Sequence, residues 1–367
     1  MIIGIDASRA ESAKGTGTEN YSLNLLRHLA KIDEKNSYIL YSRKKLENKL
    51  APAHLGANFR NCVISCPILW TQAGLSLKML SSNIDVLFVP AHTVPLLYKP
   101  NTVVTIHGLE YEYYPENYTY FSRNYLRQST IFSAKRSRKI IVPSENTKQD
   151  LVKFYRINPD KITVIHHGID ENTKTKTAHS AIVRNNDAEE RYILFIGRIE
   201  VRKNIVRLVE AFDIFKKKNP AERNLKLVLA GKKGVGFDKV KKAIDGSPFR
   251  GDIVLKGYIS EAEKEILLKN ALVFAYPSLY EGFGLPILEA QTVSVPVVTS
   301  NTSSIPEIAG KGALLVDPKD VGALASEIEK LITDKEARKE ITSKGLENVK
   351  RFSWEKCARE TLNLLIS

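Results

Sequence analysis

A chain of 367 residues is long enough for about two domains, each with its own core. Apolar residues make up 43 % and charged residues 26 %, which excludes a disordered chain, and no apolar run approaches the ~20 residues that span a bilayer. Net charge is +14, of which residues 1–178 carry +9 and the remainder +5, so an anionic partner is expected, most of all for the first half. Nucleic acid is not that partner, because no RNP-like aromatic motif, zinc finger or Arg-rich arm is present. Met1 runs straight into the strand-like Ile2-Ile3-Gly4-Ile5-Asp6, which leaves no room for a signal peptide and predicts a cytoplasmic protein. Cys62, Cys66 and Cys357 lack the paired spacing of a zinc site and read as reduced thiols.

Short β-branched apolar runs then alternate with amphipathic stretches. Strands are expected at 2–6, 38–41, 61–65, 86–89, 103–106, 139–142 and 163–166. Helical periodicity falls between them, clearest at 19–31, where Leu23, Leu26, Leu29 and Ala30 share a face. The stretch 118–139 mixes Tyr120, Phe121, Tyr125, Leu126, Ile131 and Phe132 with Arg123, Arg127, Lys135, Arg136, Arg138 and Lys139. It reads either as a helix lying on an anionic membrane surface or as a core-packed helix with a solvated basic edge. Residues 171–191 are polar, rich in Thr and Asn, and read as a linker. Strands resume at 192–196, 226–230, 253–255, 273–275, 295–299 and 313–316. Runs apolar on both faces and separated by helices predict parallel sheets covered on both sides. The expectation is an α/β chain with domains at 1–170 and 192–353, and ligands beyond the carboxyl ends of the strands.

Three segments carry chemistry. Gly15-Thr16-Gly17-Thr18 opens a helix after the first strand, but Asn20 stands where a dinucleotide fingerprint needs its third glycine. What remains is a loop whose amides can approach an anion. Gly197-Arg198 ends a strand and Lys203 begins a helix, an arrangement that suits a diphosphate clamp as well as a solvated basic turn. The strongest segment is Pro277-Ser278-Leu279-Tyr280-Glu281-Gly282-Phe283-Gly284-Leu285-Pro286-Ile287-Leu288-Glu289-Ala290. A strand feeds a glycine-rich turn, Pro286 suits the first helical position, and the amides of Phe283, Gly284 and Leu285 point out of a helix N-terminus. Glu281 in the turn and Glu289 one turn into the helix are placed to accept hydrogen bonds from sugar hydroxyls.

These residues resemble the retaining glycosyltransferases of family 4, the mannosyltransferase-like group 1 enzymes. The likeness rests on Glu281…Glu289 within EGFGLPILEA, on Arg198…Lys203, on the early glycine loop and on the closing Phe352-Ser353-Trp354. It implies the GT-B fold: two Rossmann-like domains with parallel sheets facing a central cleft, and a last helix, here 354–367, crossing back to the first domain. By the same resemblance Arg198 and Lys203 hold the donor diphosphate, Glu281 the donor-sugar hydroxyls and Glu289 the ribose. The amides of Gly282, Phe283, Gly284 and Leu285, and those of Gly15 or Gly17, meet phosphate. His107 contacts the donor sugar, and the backbone at Gly257 and Tyr258 reads the base. Two positions depart from the family pattern: Gly108 stands where many relatives carry Asp, and the glycine loop reads Gly-Thr-Gly rather than adjacent glycines.

The implied activity is retaining transfer of a hexose to a saccharide or lipid-linked acceptor in surface polysaccharide or glycolipid synthesis. Mannose from GDP-mannose leads among the donors. Front-face transfer without a covalent intermediate is expected, with cations and amides stabilising the leaving diphosphate. No cofactor and no metal are expected, since the chain has no Asp-x-Asp pair. The resemblance also implies a peripheral location at the inner face of the membrane. The rivals are a GT-B phosphorylase, a sugar-nucleotide epimerase and a non-catalytic nucleotide-sugar-binding protein.

Overall fold

The computed structural model describes residues 1–11, 17–47, 50, 52–169 and 191–367, so Gly15 and all of the expected linker except Arg191 lie outside the described residues. The chain divides into two compact units, Met1–Gly168 with Phe352–Ser367, and Ile169–Arg351.

The first unit is built on β1 (Ile2–Asp6), β2 (Ser37–Ser42), β3 (Phe59–Val63), β4 (Val86–Val89), β5 (Thr102–Thr105), β6 (Lys139–Val142) and β7 (Ile162–Val164). They form one parallel sheet in the order β3-β2-β1-β4-β5-β6-β7. The second unit carries β8 (Tyr192–Ile196), β9 (Lys226–Ala230), β10 (Ile253–Gly257), β11 (Val273–Tyr276), β12 (Val297–Ser300) and β13 (Leu314–Val316). Its parallel order, β10-β9-β8-β11-β12-β13, repeats the arrangement of the first. In each sheet the order reverses beside the first strand, at β1/β4 and β8/β11, and such a point opens a crevice at the strands' carboxyl ends. Central strands such as β4 and β8 are buried on both faces, which is why they read as unbroken apolar runs.

The strands fall where the apolar runs predict, with small shifts. The largest is β3, which starts at Phe59 rather than residue 61 because Phe59 stacks on Tyr38 of β2, ring centroids 4.3 Å apart. After β3 the chain enters a π-helical turn, Thr71–Leu75, and the helix Ser76–Ser81, which the sequence pattern did not suggest. Together with the segment after β4 they leave Ile68, Leu69, Leu77, Leu80, Leu96 and Leu97 exposed.

The helix Tyr120–Arg136 packs one side on the core and leaves part of its basic edge solvated. Leu126 and Ile131 pack on the core, and Phe132 meets Tyr98 edge-on at 6.2 Å. Arg123 and Arg127 are drawn to Glu112, and Arg138 donates to the carbonyl of Leu364 at 3.0 Å. Tyr120, Phe121 and Tyr125 remain exposed near its start and Lys135 and Arg136 near its end. Among the described residues no helix is long and apolar enough to cross a membrane.

The last helix, Trp354–Ile366, belongs to the first unit, where Trp354, Cys357, Ala358 and Leu365 join the core formed by Tyr21, Leu25 and Leu29. Ser353 caps it by accepting from the amides of Glu355 and Lys356. Its docking needs a glycine at 168: a Cβ there would lie 2.1 Å from the amide nitrogen of Trp354. Gly168→Ala is therefore expected to cost at least ~1–3 kcal/mol in urea unfolding, as overpacking does. Gly246→Ala, where a Cβ meets nothing within 4 Å, serves as the control and should show no such loss.

Candidate active site

In the second unit the candidate residues gather at the carboxyl edge of the sheet. β8 ends at Ile196, and the Gly197 amide donates to Ala230 of β9 at 3.0 Å. Gly231, at a φ of +148°, lies so close that a Cβ would sit 1.8 Å from the Gly197 carbonyl oxygen. Gly234 likewise leaves room for the stem of Arg198, whose Cγ would be 2.6 Å from an added Cβ. Arg198 itself is exposed, and no carboxylate pairs with it among the described residues.

Lys203 is held differently. It closes a short 3-10 turn, Val201–Lys203, just before the helix Ile205–Lys218, and it is buried. Its Nζ donates to the Tyr276 hydroxyl at 2.7 Å and to Oε1 of Glu281. Glu281 also accepts from the hydroxyls of Ser278 at 2.6 Å and Tyr276 at 2.9 Å, with Nη1 of Arg202 3.7 Å away. Burial alone would raise the Glu281 carboxyl, but the Lys203 ammonium and the Arg202 guanidinium overcome it and hold it down at about 2. Glu281 is thus a carboxylate at every working pH. An ammonium has three donors, and Tyr276 and Glu281 occupy two, which leaves Lys203 one N–H for a ligand oxygen.

The turn after Glu281 leads to Gly284, in a left-handed conformation, and the helix Leu285–Thr292. Ser304 supports it by donating to the carbonyls of Glu281 at 2.8 Å and Phe283 at 2.9 Å. Gly282 and Phe283 have partners, and of the amides proposed for phosphate those of Gly284 and Leu285 are without a protein acceptor among the described residues. Glu289 lies on the same helix, partly buried, with Oε1 2.8 Å from Nζ of Lys264. Gly257 ends β10, and its carbonyl accepts from Gly231 at 2.7 Å. Tyr258 beyond it is 62 % exposed, with Lys232 4.3 Å above its ring.

His107 lies apart from these groups, in the first unit. It follows β5, and its Nε2 donates to the Pro90 carbonyl at 2.8 Å, which leaves Nδ1 as the acceptor. Tyr21, His92 and His167 surround the ring at centroid distances of 4.8, 5.3 and 5.4 Å. Burial, reinforced by His92, pushes His107 down to about 3, so it is a neutral imidazole. His92 holds a φ of +44°, an uncommon conformation for a residue other than glycine. Gly17 opens the helix Gly17–Ile32 and is exposed, with nothing within 4 Å of a Cβ placed there.

Groups that the sequence motifs did not single out stand beside the expected residues: Arg202, Tyr276 and Lys264 in the second unit, and His92 beside His107 in the first. Tyr276 ends the strand that feeds the glycine turn, and that proximity was its only signal.

The family profile described as "Glycosyl transferases group 1" matches residues 179–348, and the one described as "Glycosyltransferase Family 4" matches residues 15–173. The O-antigen chain mannosyltransferase B of Escherichia coli is 31 % identical over 278 residues, covering 73 % of this chain and 72 % of that protein. This chain belongs to the group 1, family 4 glycosyltransferases. The O-antigen chain mannosyltransferase RfbU of Salmonella typhimurium is 25 % identical over 327 residues, covering 86 % of this glycosyltransferase and 87 % of RfbU. Among solved structures, the sucrose-phosphate synthase of Thermosynechococcus elongatus aligns at a TM-score of 0.76 and 17 % identity, over 99 % of this chain and 98 % of that one. That likeness is one of fold, and the fold is GT-B.

The two cations of this glycosyltransferase should separate in unfolding experiments. Arg198→Ala removes an exposed, unpaired group and should change stability by less than ~0.5 kcal/mol. Lys203→Ala strips a buried carboxylate of its nearest cation and should cost about 3–5 kcal/mol. Equal urea midpoints for the two variants would mean that Lys203 does not hold Glu281 in solution.

Proposed function

We propose that this glycosyltransferase transfers mannose from GDP-mannose, with retention and without a metal ion, to a saccharide or lipid-linked acceptor in surface polysaccharide synthesis. The observation that carries the reading is the set of donors at the carboxyl edge of the second sheet. In this reading exposed Arg198, the remaining N–H of Lys203 and the amides of Gly284 and Leu285 meet the negative charge of the diphosphate. On this reading these groups supply the neutralisation that a divalent cation gives elsewhere, and no Asp-x-Asp pair is present to hold one. The mannosyltransferase names of the two sequence relatives support the choice of sugar.

In this reading the second unit holds the nucleotide diphosphate. Glu281, an ionised carboxylate oriented by Lys203, Tyr276 and Ser278, accepts from donor-sugar hydroxyls, and Glu289 accepts from the ribose diol. Neutral His107 offers Nδ1 to a sugar hydroxyl. As the glycosidic C–O bond to the diphosphate breaks, the sugar becomes oxocarbenium-like and charge grows on the leaving oxygen. The fixed donors stabilise that charge, and the leaving phosphate takes the acceptor proton as the new bond forms on the same face.

The donor is tested by thermal shift and by transfer assays. At about 100 Kd, GDP-mannose should stabilise the fold by ~2.7 kcal/mol, while UDP-, ADP- and dTDP-sugars at equal concentration should do less. Product from the α-configured donor should be α-linked and should form undiminished in excess EDTA. A β-linked product, or activity lost to EDTA and restored by Mn²⁺, would overturn the mechanism. Binding of another nucleotide sugar in preference would replace the donor.

Peripheral membrane attachment belongs to the same proposal. The exposed Tyr120, Phe121 and Tyr125, with Lys135 and Arg136 on the same helix, are the supporting groups. Each basic residue near an anionic surface contributes about 1 kcal/mol, so few are available and attachment should be weak. Co-sedimentation with liposomes containing anionic lipid should occur at low salt, fall at high salt, and drop severalfold in a Tyr120→Ser, Phe121→Ser variant. Absence of binding at low salt would point to a soluble acceptor.

A further inference from the structure

One partly buried ammonium in the second unit takes no part in the diphosphate groups described above. Lys264 lies one turn into the helix Glu261–Asn270, its side chain 17 % exposed. Its Nζ is 2.8 Å from Oε1 of Glu289 and 2.7 Å from Oε2 of Glu261. The two carboxylates are unequal. Glu261 is 79 % exposed, so its ion pair is screened by solvent, whereas Glu289 is 24 % exposed on a helix that opens the glycine turn.

The helix that carries Lys264 is fixed at its start. Ser260 and Glu263 form a capping box in which the Ser260 amide and hydroxyl both donate to Oε2 of Glu263 at 2.7 Å. Glu289 is fixed at its Oε1 by Lys264, while its Oε2 accepts nothing among the described residues. An unrestrained Glu side chain must lose rotamer freedom to meet two hydroxyls at once. A carboxylate already anchored through one oxygen presents its other lone pairs in a set plane.

We propose that Lys264 is a positioning residue that orients the Glu289 carboxylate toward the vicinal diol of the donor's ribose. The inference rests on the reading of Glu289 as the ribose ligand given above. A lysine that only ties two helices together would contribute to stability but not to discrimination between ribose and a sugar lacking its hydroxyls.

Calorimetry separates these cases. Wild type, Lys264→Met, Lys264→Arg and Glu289→Gln are titrated with GDP and UDP, with the 2′,3′-dideoxy form of each, and with inorganic pyrophosphate. Whichever nucleotide binds wild type is scored. Loss of one charge-assisted contact corresponds to about tenfold in affinity. Lys264→Met should therefore weaken the ribonucleotide about tenfold and leave the dideoxy form and pyrophosphate within twofold. Lys264→Arg should recover most of the difference. If Lys264→Met does not fold, Lys264→Gln is read in its place with the same expectation. Equal losses for the ribo and dideoxy forms would overturn the positioning role. Loss of ribose preference in Glu289→Gln but not in the Lys264 variants would overturn it for Lys264 alone. Retention of that preference in Glu289→Gln would remove the ribose assignment, and the role of Lys264 with it.

Discussion

The arrangement of the second unit depends on one buried ion pair, Lys203 with Glu281. Removing two charges from water costs several kcal/mol for each, and their attraction offsets this only when the remaining lone pairs and protons find partners. Here they do, through Tyr276 from the end of β11, Ser278 just beyond it, and Arg202 from the turn after β8. The requirement links the ends of the two strands that flank the switch point, and so fixes the turn from which the helix Leu285–Thr292 starts. The crevice that parallel topology opens is thereby given a defined electrostatic floor.

The first unit meets its constraint with aromatic packing rather than charge. His107 and His167 crowd around Tyr21, and Trp354 of the last helix stacks on His167 at 6.0 Å. Burial lowers the proton affinity of His92, His107 and His167, so the cluster stays neutral and self-repulsion is avoided. Neutrality also decides the chemistry available: His107 can accept or share a hydrogen bond but is not an acid at neutral pH. The last helix thus supports the wall behind His107, and the close approach at Gly168 is the steric condition for it.

The sheets were legible because a strand buried on both faces must be apolar throughout, and nothing else in a chain of this composition produces such short, regularly spaced runs. Shifts such as the start of β3 came from a cross-strand stack of Phe59 on Tyr38, a tertiary contact that periodicity does not encode. The chemistry was legible as residue types and only partly as arrangement. Arg198 and Lys203 look equivalent in the sequence, yet one is exposed and the other is committed to a carboxylate 78 positions away. Lys264 and Glu289 stand 25 positions apart in a chain dense with lysine and glutamate, so their pairing carried no local signal. The helix Tyr120–Arg136 was ambiguous for a related reason: a mixed apolar and basic composition does not say which apolar residues the core takes, and the core took Leu126 and Ile131 while Tyr120, Phe121 and Tyr125 stayed exposed.

The buried pair also bears on how a fold of this kind serves phosphate chemistry. A lysine intended for a leaving group is most effective when its position does not change as charge develops, since reorganisation then adds nothing to the barrier. Exposed lysines fail that condition because their long side chains sample many rotamers. Burying Lys203 against Glu281 satisfies it, at the cost of desolvating both groups. An apolar pair of similar volume is often as stable as a buried ion pair or more so, so stability alone gives little reason to keep this one. Its retention follows if the third N–H of Lys203 has to stand at a fixed point beside Arg198 and the helix amides. Under the proposed function the same argument separates the two cations: exposed Arg198 would close on the ligand, and buried Lys203 would define where that ligand lies.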